Sequence, residues 1–319
     1  MASKKAAVFS HNGLGDGINV LVLSQHLFLN GFSVDTYQNT LSTLQRWFPH
    51  LPVYFYPQMD AIEQILNSYD LFFVVWNDSS SFVLRLIEEG KKRFPDRMKV
   101  IYIYPSPNII HEPYYADCLT NPRWSVAENM RNIARKVMKF PVITQESPLT
   151  APQHFKKNRY PNRIVLHPTS GRETRNWDRE KFIELAIYLR NQGYALVFIP
   201  GEKAMKDWME VEQEGISVQD FETLDELAGM IYESGYLIGN DSGPGHLASS
   251  IGIPTVTICR RKALADLWAP SFSKGVPVVP SVLIPNIRGL RLRDVHWKKF
   301  ISVKKVLRGF KKLTYMNGA

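Results

Sequence analysis

Short apolar runs alternate with longer stretches in which apolar residues recur every three to four positions, almost from end to end of the chain. Such alternation predicts parallel strands covered by helices, an α/β doubly wound architecture. In the first half the runs predict strands at 6–9, 33–37, 53–56, 71–76 and 100–104, with helices near 18–29, 61–68 and 82–93. A further helix at about 125–138 closes this half. Over 140–161 the pattern lapses into Pro, Gln, Ser, Thr and Lys, the composition of a linker. The winding then restarts with strand 164–167, helix 178–191 with Asp178 at its cap, strand 196–199 and helix 224–233. Strand 236–239, helix 245–250 and strand 255–258 follow. The expectation is two doubly wound domains in tandem, 1–155 and 156–285, facing a central cleft at the carboxyl ends of their strands. A separate segment, 286–319, comes last.

A chain of 319 residues accommodates two such domains of about 150 residues each. Cys118 and Cys259 lie far apart and in no metal-ligand spacing, which suits a reducing compartment rather than a disulfide framework. The apolar run at 6–9 is too short for a signal segment, and no stretch approaches the roughly 20 apolar residues that span a bilayer. The expected location is therefore cytoplasmic, at most peripheral at the inner face of the membrane.

The formal charge is +9, from 39 basic and 30 acidic residues, and it is uneven. The last segment holds Arg288, Arg291, Arg293, Lys298, Lys299, Lys304, Lys305, Arg308, Lys311 and Lys312, interleaved with aromatic and aliphatic residues. That interleaving predicts a surface helix, lying either near an anionic membrane or against another domain; packing back toward the N-terminal domain is the structural alternative. No zinc finger, RNA-recognition signature or helix-turn-helix spacing accompanies it, so nucleic acid is not the expected partner.

Three strand-to-helix loops carry the chemistry. The first, Asn12-Gly13-Leu14-Gly15-Asp16-Gly17, follows the first strand. Gly13 and Gly15 allow a tight turn, but Ile18 stands where a dinucleotide fingerprint needs its third glycine. Asp16 reads either as a helix-capping carboxylate or as a general base for an acceptor hydroxyl. The second loop, Asp241-Ser242-Gly243-Pro244-Gly245-His246, opens a helix whose first N–H groups make a pyrophosphate cradle, with Ser242 as a further donor. His246 sits in the first turn, able to donate to phosphate. In the third loop, from His167 to Asp178, Thr169 and Ser170 are small hydroxyl donors, while Arg172 and Arg175 suit phosphate. Glu202, after the next strand, suits a ribose or sugar hydroxyl or a capping role. The chain contains no Asp-x-Asp pair of the kind that holds a divalent ion on a leaving pyrophosphate, so no metal is expected.

These loops together resemble glycosyltransferase family 9, the lipopolysaccharide heptosyltransferases. The likeness rests on Gly13-Leu14-Gly15-Asp16, on His167-Pro168-Thr169-Ser170 with Arg175-Asn176-Trp177 and Phe182, and on Asp241 to Ala248 with Gly252-Ile253-Pro254. The closing segment from Ile301 to Leu313 also resembles the family's last helix. The resemblance implies a GT-B fold of two Rossmann-like domains. It implies inverting, metal-independent transfer of a sugar, typically heptose from ADP-heptose, to a lipopolysaccharide-core-like acceptor, with no cofactor besides the nucleotide-sugar donor. By that resemblance Asp16 is the base. Thr169, Ser170 and Arg175 meet donor phosphates or sugar, Glu202 the nucleoside, and Asp241, Ser242, Gly243 and His246 the pyrophosphate and sugar. Arg175 stands where the family usually has Lys, and Cys259-Arg260-Arg261-Lys262 replaces its usual turn. The partners implied are a nucleotide sugar and a glycolipid or saccharide acceptor, for which Arg46, His111 and Arg123 are candidate contacts. A nucleotide-sugar epimerase and a catalytically silent binding module on the same architecture stay open as alternatives.

Overall fold

The computed structural model describes residues 3–104, 111–281, 283–284 and 292–318. The chain divides into two compact units, Met1–Thr150 and Ala151–Ala319, each with its own all-parallel sheet. The division falls five residues before the expected one.

In the first unit the strands β1 (Lys5–Phe9), β2 (Ser33–Tyr37), β3 (Val53–Tyr54), β4 (Leu71–Val75) and β5 (Met98–Ile101) lie in the order β3-β2-β1-β4-β5. They are covered by α1 (Leu14–Leu29), α2 (Ile62–Ser68), α3 (Ser81–Arg93) and α4 (Val126–Asn132), the last running on into a π-helical turn, Ile133–Val137. Strand β4 is central and buried on both faces, which is why it reads as the unbroken run Leu-Phe-Phe-Val-Val. Helix α1 is buried on every side from Gly17 to Leu27, and its buried Asn19, Ser24 and His26 are each hydrogen-bonded, to the Gly15 carbonyl, the Thr36 hydroxyl and the Val22 carbonyl. Helix α3 instead buries one stripe, Phe82, Val83, Leu86, Ile87 and Gly90, and is capped by Ser80 accepting from the Val83 N–H.

The expected linker begins inside this unit. Buried Arg131 donates to the carbonyls of Thr144 and Gln145, at 3.2 Å each, and the Asn30 amide brackets Val142. An irregular stretch is thereby held by side-chain donors in place of a ladder.

The second unit has β6 (Tyr160–His167), β7 (Ala195–Phe198), β8 (Ser217–Val218), β9 (Ser234–Asn240), β10 (Thr255–Ile258) and β11 (Gly275–Val278), in the order β11-β10-β9-β6-β7-β8. Its helices are α5 (Arg179–Asn191), α6 (Met205–Trp208), α7 (Leu224–Tyr232), α8 (Gly243–Ser250), α9 (Lys262–Trp268), α10 (Leu292–Val295) and α11 (Val303–Gly318). Strands β8 and β11, absent from the sequence expectation, are the two short edges, and an edge tolerates Pro277.

Helix α11 buries Val303, Val306, Phe310 and Leu313 in one core with Ile164, Leu185, Val256 and Val278. It packs on β10, β11 and α5, all within its own unit. Its apolar face is taken up by the sheet it follows. Arg288 and Arg291 of the basic segment lie outside the described residues. Among the described residues no helix is long and apolar enough to cross a membrane.

Candidate active site

In the first sheet the strand order reverses between β1 and β4, so the loop leaving β1 stands at the switch point. Helix α1 begins there at Leu14, four residues earlier than expected, with Gly13 as its N-cap. A glycine cap has no side chain to satisfy the first N–H groups. Asp16, the only acid of the first turn, is half-buried, and its carboxylate folds back over the cap, so that a Cβ on Gly13 would collide with Asp16 Oδ2. Gly13 has φ −66° and ψ 139°, an ordinary extended conformation, so the glycine is needed for space alone. Gly15 is buried in the same turn, its carbonyl accepting from Asn19 Nδ2 at 2.9 Å.

In the second sheet the order reverses between β6 and β9, and the two expected phosphate loops leave from those strands. The His167–Asp178 loop is tied down at several points. Thr169 Oγ1 donates to the Pro200 carbonyl, joining this loop to the one after β7. Ser170 Oγ lies 2.8 Å from Asn176 Oδ1 and 2.9 Å from the Arg172 carbonyl, so both hydroxyls already have a protein partner. Arg172 and Arg175 are exposed at the tip of the loop.

Asn240, to which the sequence analysis assigns no role, closes this loop at its base. Its Nδ2 donates to the Pro168 carbonyl at 2.5 Å, and its Oδ1 accepts from the Trp177 N–H at 3.0 Å. The side chain is 1 % exposed, so both bonds are shielded from water. A second brace comes from the segment before α11. Trp177 Nε1 donates to the Ile301 carbonyl at 2.9 Å, Trp297 Nε1 to the Thr174 carbonyl at 3.3 Å, and Lys181 Nζ to the Lys298 carbonyl at 2.7 Å. Asp178 is the N-cap of α5 as expected, but its carboxylate pairs with Lys181 at 2.9 Å and does not cap.

Helix α8 starts at Gly243 with Ser242 as N-cap. The Ser242 hydroxyl donates to the Asn240 carbonyl at 3.0 Å and makes no capping bond, which leaves the opening of α8 without a side-chain cap. Asp241, Ser242 and Gly243 are half-buried at this opening, and His246 is buried one turn in. Burial pushes the His246 imidazole down to about 4, and His167, whose Nδ1–H donates to the Ile199 carbonyl, is held down to about 4 by the same cause. Both are neutral at pH 7. Positive potential at the loops therefore comes from Arg172, Arg175 and the N-terminus of α8.

Glu202 is exposed in the short helical turn after β7. Arg46, His111 and Arg123 are exposed on three separate segments of the first unit. In the basic run after β10, Arg261 pairs at 3.0 Å with Asp294 of α10, whose carboxylate is almost wholly buried. Cys118 and Cys259 are free and buried, and burial pushes the Cys118 thiol up to about 12. Among the described residues no group of three or more His, Cys, Asp or Glu converges as a metal site would require.

Residues 121–263 match the family profile described as Glycosyltransferase family 9 (heptosyltransferase), a stretch that contains the loops after β6, β7 and β9. No relative is found among curated proteins. Among solved structures, the chain is similar to the glycosyl transferase family 9 protein from Veillonella parvula DSM 2008, with TM-score 0.70 and 15% identity over 97% of each chain. It is similar to E. coli ADP-heptose lps heptosyltransferase II, with TM-score 0.68 and 17% identity over 99% of this chain and 100% of that one. It is also similar to E. coli heptosyltransferase WaaC with ADP, with TM-score 0.65 and 12% identity over 97% and 99% of the two chains. At such identities the likeness is one of fold, and the two doubly wound sheets are those of the GT-B class.

Proposed function

We propose that this chain, whose residues 121–263 match the glycosyltransferase family 9 profile, catalyses inverting, metal-independent transfer of heptose from ADP-heptose to a hydroxyl of a lipopolysaccharide-core-like acceptor. The observation that carries this reading is the uncapped opening of α8 beside Asp241, Ser242 and Gly243, at the switch point of the second sheet. A helix N-terminus in that position suits a pyrophosphate without help from a metal. Arg175 and Arg172 add charge, Thr169, Ser170 and His246 line the approach, and Glu202 suits the ribose.

In the proposed step Asp16 accepts the proton of the acceptor hydroxyl as its oxygen bonds to the anomeric carbon. The bond from that carbon to the β-phosphate oxygen breaks on the opposite face, and ADP leaves with the electron pair. The charge that develops on the departing phosphate is the one that α8 and the arginines stabilise. The exposed basic side of α11, with Lys304, Arg308, Lys311 and Lys312, holds the enzyme near anionic headgroups where a glycolipid acceptor resides.

Titration with ADP, ADP-heptose, UDP and UDP-glucose followed by melting temperature tests the donor. A nucleotide at about 100 times its dissociation constant adds roughly 2.7 kcal/mol. Stabilisation by ADP-heptose, and release of ADP only on adding acceptor, in the presence of EDTA, is the expected result. Turnover without acceptor would favour an epimerase, and loss of activity with EDTA, restored by magnesium, would overturn the leaving-group assignment.

A further inference from the structure

The loop between β1 and α1 is held by an unusual set of bonds. Four consecutive carbonyls, from Ser10 to Gly13, each accept from a side chain that comes from another part of the first unit. Tyr56 Oη donates to Ser10 O at 2.7 Å, and Thr40 Oγ1 to Asn12 O at 2.5 Å. The other two share one donor: Gln38 Nε2 lies 2.8 Å from His11 O and 3.0 Å from Gly13 O. Gln38 Oε1 accepts in turn from the Leu41 N–H, and the side chain is wholly buried just past the end of β2. Helix α1 is pressed against it: a Cβ on Gly17 would stand 2.9 Å from Gln38 Cδ and 2.7 Å from Leu41 Cδ1.

One amide group thus fixes two peptide planes, His11–Asn12 and Gly13–Leu14, while Thr40 holds the plane between them. The second of those planes is that of Gly13, whose missing side chain leaves the space occupied by the Asp16 carboxylate. Rotating the Gly13 peptide moves that space. A glutamine used only to fill a strand end needs no such pair of bonds, and a buried primary amide that loses its partners is strongly penalised, so the geometry is held firmly.

We propose that Gln38 is a positioning residue for Asp16, orienting the glycine loop so that the carboxylate stands ready to take a proton from the acceptor. The proposal rests on the reading of Asp16 as the base. It places the determinant of that base's orientation just past the neighbouring strand, outside the glycine loop.

Gln38→Met keeps the volume and removes all three side-chain hydrogen bonds. In ADP-heptose turnover with a lipopolysaccharide-core saccharide, kcat is expected to fall at least tenfold while the donor KM stays within twofold. In the Asp16→Asn background the same change should add less than twofold, because there is no base left to orient. The ¹³C titration of the Asp16 carboxyl, which needs no substrate, should shift between the parent and Gln38→Met. An unchanged Asp16 titration, an unchanged kcat, or losses that multiply in the double variant would overturn the proposal. Full activity of Asp16→Asn alone would instead overturn the base assignment. If Gln38→Met does not fold, Thr40→Val, which removes only the clamp on Asn12, decides by the same readouts.

Discussion

The carboxylate of Asp16 occupies the space that a side chain on Gly13 would fill. Because Gly13 has ordinary extended backbone angles, alanine there meets no conformational strain. The methyl group would displace only the outer end of the half-buried Asp16 side chain, with no backbone in its way. Gly13→Ala is therefore expected to leave the melting temperature within about 2 °C, less than 1 kcal/mol for a unit of this size. Transfer should drop by about two orders of magnitude, within the range general bases contribute. Circular dichroism melts together with initial rates check it; normal turnover would mean that the carboxylate position seen here is not the working one.

Asn240 makes a different kind of prediction, because its bonds are buried. Asn240→Ala leaves the Pro168 carbonyl and the Trp177 N–H without their partner in a region closed to water. The cost should be about 2–4 kcal/mol of stability, the scale for two buried unsatisfied groups. The loop that it closes carries Arg175, so ADP affinity should fall at least fivefold in protein that remains folded. Urea denaturation and calorimetric titration with ADP separate the two effects. A stability loss with unchanged ADP affinity would confine Asn240 to a structural role.

The contrast between these residues shows what a sequence makes legible. Both sheets were readable because a central parallel strand, covered on two faces, must be an unbroken apolar run, as at 71–75 and 164–166. The loops were readable because glycine and small polar residues cluster between a strand and the helix that follows it. Gln38 and Asn240 were not, since each stands among other polar residues at the end of a strand, and the carbonyls to which it donates lie 25 to 72 positions away in sequence. Propensity alone starts α1 late, because Gly15, Asp16 and Gly17 are poor helix formers; burial of that turn overrides propensity. The spacing of Val303, Val306, Phe310 and Leu313 announces an apolar face but cannot say which sheet receives it.

Stability in acid should track the two buried imidazoles of the second unit. An unfolded histidine titrates near 6.5, whereas burial holds His167 and His246 at about 4. Between those values the unfolded chain takes up protons that the folded unit refuses, so stability is full above pH 6.5 and is lost as the pH falls toward 4. Each unit of displacement is worth about 1.4 kcal/mol. His26 in the first unit, also lowered chiefly by burial, acts in the same direction. Chemical denaturation at a series of pH values should show this slope, and His246→Gln should flatten it. A slope unchanged in that variant would show that another group drives the acid transition.

Helix α11 allows the proposed membrane contact to be tested without disturbing the core. Its buried face is Val303, Val306, Phe310 and Leu313, whereas Lys304, Arg308, Lys311 and Lys312 are exposed beside Tyr315, which is 69% exposed. With Met316, the three residues Arg308, Lys311 and Lys312 and the Tyr315 ring line a shallow surface groove of about 550 Å³. Lys298 and Lys305 are poor choices for a test: the Lys298 carbonyl accepts from Lys181, and Lys305 is partly buried, which lowers its pKa. Replacing Lys304, Arg308, Lys311 and Lys312 together by Gln removes four charges from the exposed side alone. At about 1 kcal/mol per basic residue near an anionic surface, partition onto vesicles containing phosphatidylglycerol should fall by more than tenfold at low salt. The difference should shrink as salt is raised, because screening already weakens the parent protein's attraction. Melting temperature and turnover on a soluble saccharide acceptor should stay at parent values, since no replaced side chain reaches the core. Vesicle binding equal to the parent's would remove α11 as the membrane contact, and a fall in melting temperature would assign these basic residues to the fold.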